Sequence, residues 1–177
     1  MTSQADETTA LTWRQRMLSW TKQLVSFLIL AVVISAAVDW WRARDFPREQ
    51  LPSMAAMSLQ GEYVDVNALS FEKPVLVYFW GTWCPICSFV SPAVNWMADD
   101  YAVVSIAMAS GHDAKLTAYL QQQGYRFTTI NDNQNQIAQQ WSVQLTPTLM
   151  VIKDGELKHV TTGFTSLPGM LWRMLLN

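Results

Sequence analysis

The chain has two cysteines in 177 residues, and they stand three positions apart in the sequence Trp83-Cys84-Pro85-Ile86-Cys87. A disulfide between such close cysteines closes a loop too short to stabilise a fold by much. The pair directly follows the apolar run Val75–Trp80. A thiolate in this setting can attack the sulfur of another disulfide, and its neighbour can complete the exchange. We therefore interpret Cys84 and Cys87 as a redox pair rather than a structural crosslink.

The two cysteines are expected to have different roles. Cys84 falls at the predicted N-cap of a helix that begins at Pro85, a residue well suited to the first helical position. The unpaired amides of Ile86 and Cys87 and the helix dipole favour a thiolate at Cys84. Cys87 is one turn further along and should be shielded. The pattern predicts Cys84 as the attacking nucleophile and Cys87 as the resolving cysteine.

Other uses of the cysteine pair remain open. Two buried apolar cysteines would be inert. A zinc half-site is disfavoured because the sequence has no second cysteine pair, and its only histidines, His112 and His159, are far apart in sequence and not paired as ligands. We expect both histidines to be solvated and predict no metal site and no cofactor. A Cu(I)-binding chaperone is the second hypothesis, because thiolates are soft ligands. A dithiol oxidase or isomerase is the third, but the dipeptide between the cysteines adds no positive charge to stabilise a thiolate strongly.

The elements around the pair alternate between strand and helix. Strands are predicted at 63–66, 75–80, 103–108, 127–130, 148–153 and 156–162, and helices at 85–97, 114–123, from 133 or 135 to 141, and 167–176. Asp113 is expected to cap the second helix, Gly124 to end it, and Asp154-Gly155 to form a hairpin turn. This order predicts an α/β protein with a mixed sheet flanked by helices on both faces.

A second candidate element is Thr146-Pro147, directly before the strand at 148–153. A cis bond there would expose a backbone edge that could hold a peptide as an added strand, whereas an ordinary trans turn is the alternative. We predict that Trp83, Thr146 and Pro147 contact the substrate.

The N-terminal part contains an apolar stretch flanked by tryptophans, from Trp20 to Trp40. Its length is close to one hydrocarbon core, which predicts a transmembrane anchor at residues 18–41. A cleavable signal peptide ending at the small residues 35–37 and a buried core helix are the alternatives. Basic residues are balanced on the two sides, so charge does not set the orientation.

The remaining boundaries follow from this anchor. We predict a cytoplasmic tail at 1–17, a linker at 42–57 and one globular domain at 58–177. Met54-Ala55-Ala56-Met57 could offer thioethers to Cu(I), but a helical turn packed on the domain is the favoured interpretation. The formal net charge is −2 and no basic run occurs, which argues against a nucleic-acid partner.

Taken together, these motifs resemble the thioredoxin fold. The features that match are the strand and CxxC at Val75–Cys87, the proline inside the following helix at Pro92, the Thr146-Pro147 loop, and Gly163 after the last strand. The strand-helix segment at 103–123 is similar to the insertion of the membrane-anchored TlpA/ResA-like branch. Within that branch the anchor, the length and Cys-Pro-x-Cys are similar to the suppressor of copper sensitivity D group.

The resemblance implies a thiol:disulfide oxidoreductase whose domain lies on the periplasmic side of the inner membrane. It implies protein disulfides as substrates, a transmembrane thiol reductant as electron donor, and a role in copper tolerance or cytochrome maturation. Two positions depart from the family pattern. Tyr78 replaces the buried aspartate of thioredoxins, and Val90 replaces the glutamate of ResA-like reductases. The proton acceptor for Cys87 is therefore open, with Glu62, Asp132 or water as candidates.

Overall fold

The structure is a computed structural model that describes residues 20–27, 29–30, 33–34 and 51–175. The chain divides into two units, Met1–Trp41 and Arg42–Asn177. The described residues of the first unit are helical. Across the described ranges, none of the helices combines the length and the apolar character that a bilayer crossing requires. The predicted tail, much of the predicted span with its alternative cleavage site, and the start of the linker lie outside the described residues.

The second unit contains seven strands and five helices in its described part. The strands are β1 (Ala55–Met57), β2 (Tyr63–Asp65), β3 (Val75–Trp80), β4 (Ala102–Met108), β5 (Thr128–Asp132), β6 (Thr148–Lys153) and β7 (Glu156–Thr162). The helices are α1 (Val66–Glu72), α2 (Pro85–Met97), α3 (Asp113–Gln123), α4 (Gln136–Gln140) and α5 (Leu167–Leu175).

Five of the strands form one mixed sheet in the order β5-β4-β3-β6-β7. β3 and β4 are parallel, as are β4 and β5, whereas β6 runs antiparallel to both β3 and β7. The parallel pairs need crossover helices, and α2 and α3 supply them; the antiparallel pair β6–β7 needs only the turn at Asp154 and Gly155. The predicted mixed α/β fold is confirmed.

The central strand β3 divides the core in two. All six of its side chains are buried, as its continuous apolar sequence predicts for a strand covered on both faces. Tyr78 and Trp80 belong to one core, together with the two cysteines. Val77 and Phe79 belong to the other, on the opposite face of the sheet. Alternation along one strand therefore directs Tyr78 to the cysteine side.

The segment before β3 differs from the prediction. Met54–Met57 is not a helical turn, because Ala55–Met57 forms strand β1, which lies in the segment assigned to the linker and pairs antiparallel with β2 of the globular domain. Met54 is buried in the core. Helix α1 was also not predicted; it is short, and its N-cap is Asp65, whose side chain accepts a hydrogen bond from the amide of Ala68.

One helix start differs. α3 begins at Asp113 rather than after it, and His112 is its N-cap, with Nδ1 accepting from the amide of Lys115. α4 begins at Gln136 with Asn135 as its N-cap, the second of the two predicted openings, and Asn135 takes a left-handed backbone conformation with φ of 57°. The predicted end of α3 at Gly124 is confirmed, with φ of 69°.

Candidate redox-active site

Cys84 and Cys87 are joined by a disulfide at the N-terminus of α2, with their Cα atoms 5.3 Å apart. Cys84 is the N-cap, Pro85 is the first helical residue, and the Cys84 sulfur accepts a hydrogen bond from the amide of Cys87 at 3.2 Å. The predicted placement of both residues is confirmed. The helix start supplies a donor and a partial positive charge at the Cys84 sulfur, which favours its thiolate form when the bond is open.

The two cysteines differ in exposure. Cys84 is 7% exposed and Cys87 is 1% exposed. Pro85 and Ile86, between them, are exposed at the surface. An incoming sulfur can therefore approach the disulfide from the Cys84 side, while the protein covers Cys87.

The loop before Cys84 is held by the neighbouring strand. The Trp83 indole donates from Nε1 to the carbonyl oxygen of Met108 at 3.0 Å, and the amide of Thr82 donates to Ser110 Oγ at 3.0 Å. The Trp83 ring lies over Gly81, where an added Cβ would come within 2.6 Å of Nε1. Trp83 is nevertheless 57% exposed, so one face of the indole is open beside the disulfide.

The Thr146–Pro147 peptide bond is cis, as the sequence suggested. Thr148 is opposite Phe79, so this loop lies at the same end of the sheet as the β3 end that leads into Cys84. The Pro147 carbonyl accepts from the amide of Gly163 at 2.8 Å. The fold thus brings the two predicted elements to adjacent strand ends.

Behind the disulfide lies a pair of hydroxyl groups. Tyr78 Oη is 2.9 Å from Ser91 Oγ and donates to the Cys87 carbonyl oxygen at 3.4 Å. Burial raises the pKa of Tyr78, so the phenol is neutral at physiological pH. Ser91 was not among the predicted residues, although its position four residues after Cys87 places it on the same helix face. Val90, named above as a position that departs from the family pattern, is fully buried.

The two acidic residues proposed as proton acceptors make contacts with groups other than Cys87. Asp132 Oδ2 accepts from the amide of Ala138 at 2.8 Å, which fixes the start of α4. Glu62 is an exposed residue of the β1–β2 connection, where its amide donates to Ser58 Oγ. Cys87 accepts a hydrogen bond from the Tyr78 hydroxyl at its backbone carbonyl and donates one from its backbone amide to the Cys84 sulfur. Neither acid hydrogen-bonds to Cys87 within the described chain, and a role of either as its proton acceptor stays a prediction.

The histidines were expected to be solvated. His112 is exposed, whereas His159 on β7 is partly buried. Burial, and then the positive charge of Arg173, lower the pKa of His159. In the part of the chain that the structure describes, no three His, Cys, Asp or Glu side chains gather as metal ligands would.

Comparison with known proteins agrees with this geometry. Residues 47–160 match the AhpC/TSA family. The chain belongs to this family. It is 38% identical to a thioredoxin-like protein of Haemophilus influenzae over 86% of this chain and 92% of that one. It is 32% identical to the thiol-disulfide oxidoreductase ResA of Geobacillus kaustophilus, over 80% and 88% of the two chains.

Solved structures show the same fold. A putative thioredoxin from Neisseria meningitidis superposes with a TM-score of 0.65 at 24% identity, covering 73% of this chain and 90% of that one. StoA from Bacillus subtilis gives a TM-score of 0.62 at 14% identity, covering 70% and 96%. With the Cys84–Cys87 disulfide in place, family and site agree: the chain is a thiol–disulfide oxidoreductase with a thioredoxin-like fold.

Proposed function

We propose that this chain is a membrane-tethered, periplasmic reductant of protein disulfides, with Cys84 as the nucleophile and Cys87 as the resolving residue. The observation that carries the proposal is the asymmetry of the pair. Cys84 is the N-cap and the more exposed cysteine, and its sulfur accepts a hydrogen bond from the Cys87 amide. Cys87 is covered, so its role is to attack the Cys84 sulfur after Cys84 has formed a mixed disulfide with the substrate.

The reaction proceeds in two exchanges. The Cys84 thiolate attacks one sulfur of the substrate disulfide, forms a mixed disulfide and releases the first substrate thiol. The Cys87 thiolate then attacks Cys84, closes the internal disulfide and releases the second. Two electrons pass from the dithiol to the substrate, and the two thiol protons end on the released substrate thiols.

A protein substrate suits the surface around the disulfide. Apolar side chains beside or near the site are exposed: Trp83 at 57%, Ile86 at 46% and Leu145 at 54%. The cis-proline loop, with Thr146 and Pro147, supplies a backbone edge on the adjacent strand end. We propose that an extended substrate segment pairs with this edge while its apolar side chains contact Trp83.

The direction of transfer and the cellular setting belong to the same proposal. Pro85 and Ile86 bring no positive charge to the Cys84 sulfur beyond the helix terminus, which favours a reducing pair over a strongly oxidising one. The apolar, tryptophan-flanked stretch at 18–41 supports a single anchor. A tethered reductant outside the cytoplasm needs a transmembrane thiol donor, and its clients would be disulfides formed under copper stress or in cytochrome maturation.

The direct test uses the full-length chain purified in mild detergent and reduced beforehand. We expect stoichiometric reduction of insulin or a model disulfide, one internal disulfide forming per disulfide reduced. The Cys84→Ser variant should be inactive. Tight Cu(I) binding without dithiol turnover would instead favour the copper-chaperone alternative. If Cys84 and Cys87 remain oxidised in cells while partner proteins gain disulfides, the direction of electron transfer is the reverse of the one proposed.

A further inference from the structure

The polar groups nearest Cys87 in the core are hydroxyls. Tyr78 extends from β3 and Ser91 from α2, and both are buried. Their oxygens are 2.9 Å apart, and Tyr78 Oη also reaches the Cys87 carbonyl at 3.4 Å. Side chains on a helix tilt toward its N-terminus, so Ser91 covers the turn that contains Cys87. The pair therefore lies directly behind the buried cysteine.

The core cluster that contains Tyr78 and Cys87 consists of apolar and aromatic side chains and the two cysteines. The titratable groups that face Tyr78 are Tyr119 from α3 and Tyr125 before β5, which raise its pKa less than burial does. Among the described residues, the one buried charged side chain is Asp132, which accepts the amide of Ala138 at the junction between β5 and α4.

This arrangement matters when the disulfide opens. Cys87, 1% exposed, must then become a thiolate in order to attack. A buried anion without hydrogen-bond donors is strongly disfavoured, and burial alone would raise the pKa of the thiol. A carboxylate nearby would oppose the anion by like charge, whereas a neutral hydroxyl can donate to it.

We propose that Tyr78 is a catalytic residue that donates a hydrogen bond to the Cys87 thiolate, and that Ser91 is a positioning residue that acts through Tyr78. This rests on the proposed role of Cys87 as the resolving residue. When the Cys87 thiolate forms, the Tyr78 hydroxyl donates to the Cys87 sulfur in place of its long contact with the Cys87 carbonyl. The Ser91 hydroxyl then donates to the Tyr78 oxygen. In the resolving step the Cys87–Cys84 bond forms, the bond from Cys84 to the substrate sulfur breaks, and the Cys87 proton ends on the departing thiolate.

The test measures the pKa of Cys87 directly, in the Cys84→Ser variant of the full-length chain, where Cys87 is the sole thiol. Thiolate absorbance and the rate of alkylation are followed against pH. Adding Tyr78→Phe should raise the pKa of Cys87 by about one unit, because the donor to the thiolate is lost. Adding Ser91→Ala should raise it less, and Ser91→Thr, which keeps the hydroxyl, should restore the original value.

Tyr119→Phe is the matched control, since Tyr119 belongs to the same aromatic group but contacts the Trp80 ring rather than Cys87. It should leave the pKa of Cys87 unchanged. An unchanged pKa in Tyr78→Phe, with folding verified by circular dichroism, would overturn the inference. If Tyr78→Phe does not fold, the Ser91→Ala and Ser91→Thr variants provide the test. Equal pKa values of Cys87 in these two variants would also overturn the inference. The measurement needs no turnover, so a chain that fails to reduce insulin would contradict the proposed function alone.

Discussion

The Trp83 indole donates a hydrogen bond to the carbonyl oxygen of Met108, 3.0 Å away, and so ties the loop before Cys84 to the end of β4. The same carbonyl accepts from Ser110 Oγ, which itself accepts the amide of Thr82. The CxxC loop is thus fixed by a neighbouring strand rather than by the disulfide alone. Trp83 can present its exposed face to a substrate without losing its own position.

Gly81 is required by this arrangement. In Gly81→Ala the new Cβ would lie 2.6 Å from Trp83 Nε1 and 3.2 Å from the Met108 oxygen, so the indole must move. We expect a loss of about 1–3 kcal/mol in the free energy of unfolding, as overpacking of a buried site costs, and slower disulfide reduction. Chemical denaturation and insulin reduction measure the two effects. Trp83→Phe, which lacks only the N–H and part of the ring, is the comparison variant. If Gly81→Ala reduces insulin at the wild-type rate, the position of Trp83 is unimportant for activity.

Asp132 is predicted to be structural. Its buried carboxylate accepts the amide of Ala138 at 2.8 Å, at the junction between β5 and α4. Asp132→Ala should cost about 1–3 kcal/mol of stability, because that amide loses its partner in a buried place. Asp132→Asn keeps an acceptor oxygen and should cost less. Both variants should retain the wild-type pH dependence of disulfide reduction, and a changed profile would reinstate Asp132 as a proton acceptor.

His159 should make stability depend on pH. Burial and then Arg173 lower its pKa in the folded chain, so the unfolded chain, with a pKa of about 6.5, binds the proton more readily. The stabilising contribution is present above that pH and is lost as the pH falls toward the folded pKa. The melting temperature should therefore decrease as the pH is lowered from about 7 to about 5, and less steeply in His159→Asn than in the unsubstituted chain. Equal slopes in the two chains would contradict the assignment.

Local and strong signals in the sequence predicted the elements that position the cysteines. Val75–Trp80 is apolar at every position, and a strand buried on both faces follows. Pro85 after Cys84 marks the helix start, and Gly124 marks a helix end. These features fix the strand, the loop and the helix around the redox pair, which is why its place in the fold could be predicted from the amino-acid sequence.

The elements that were missed are short and depend on contacts with other residues rather than on a pattern of their own. β1 has three residues and is stabilised by pairing with β2, which sequence periodicity does not detect. α1 has seven residues, too few to form alone, and depends on the Asp65 cap and on packing. Ser91 gave no signal of its own, because its role depends on Tyr78, thirteen positions earlier in the chain.

The proposed mechanism depends most directly on the order of attack, which mixed-disulfide trapping measures. The Cys87→Ser variant keeps the nucleophile but lacks the resolving thiol, so we expect it to accumulate a covalent adduct with a protein or peptide disulfide. Mass spectrometry should place that bond at Cys84. Cys84→Ser, which retains only the covered Cys87, should form little adduct. Adducts that form equally in both variants, or mainly through Cys87, would contradict the proposed mechanism.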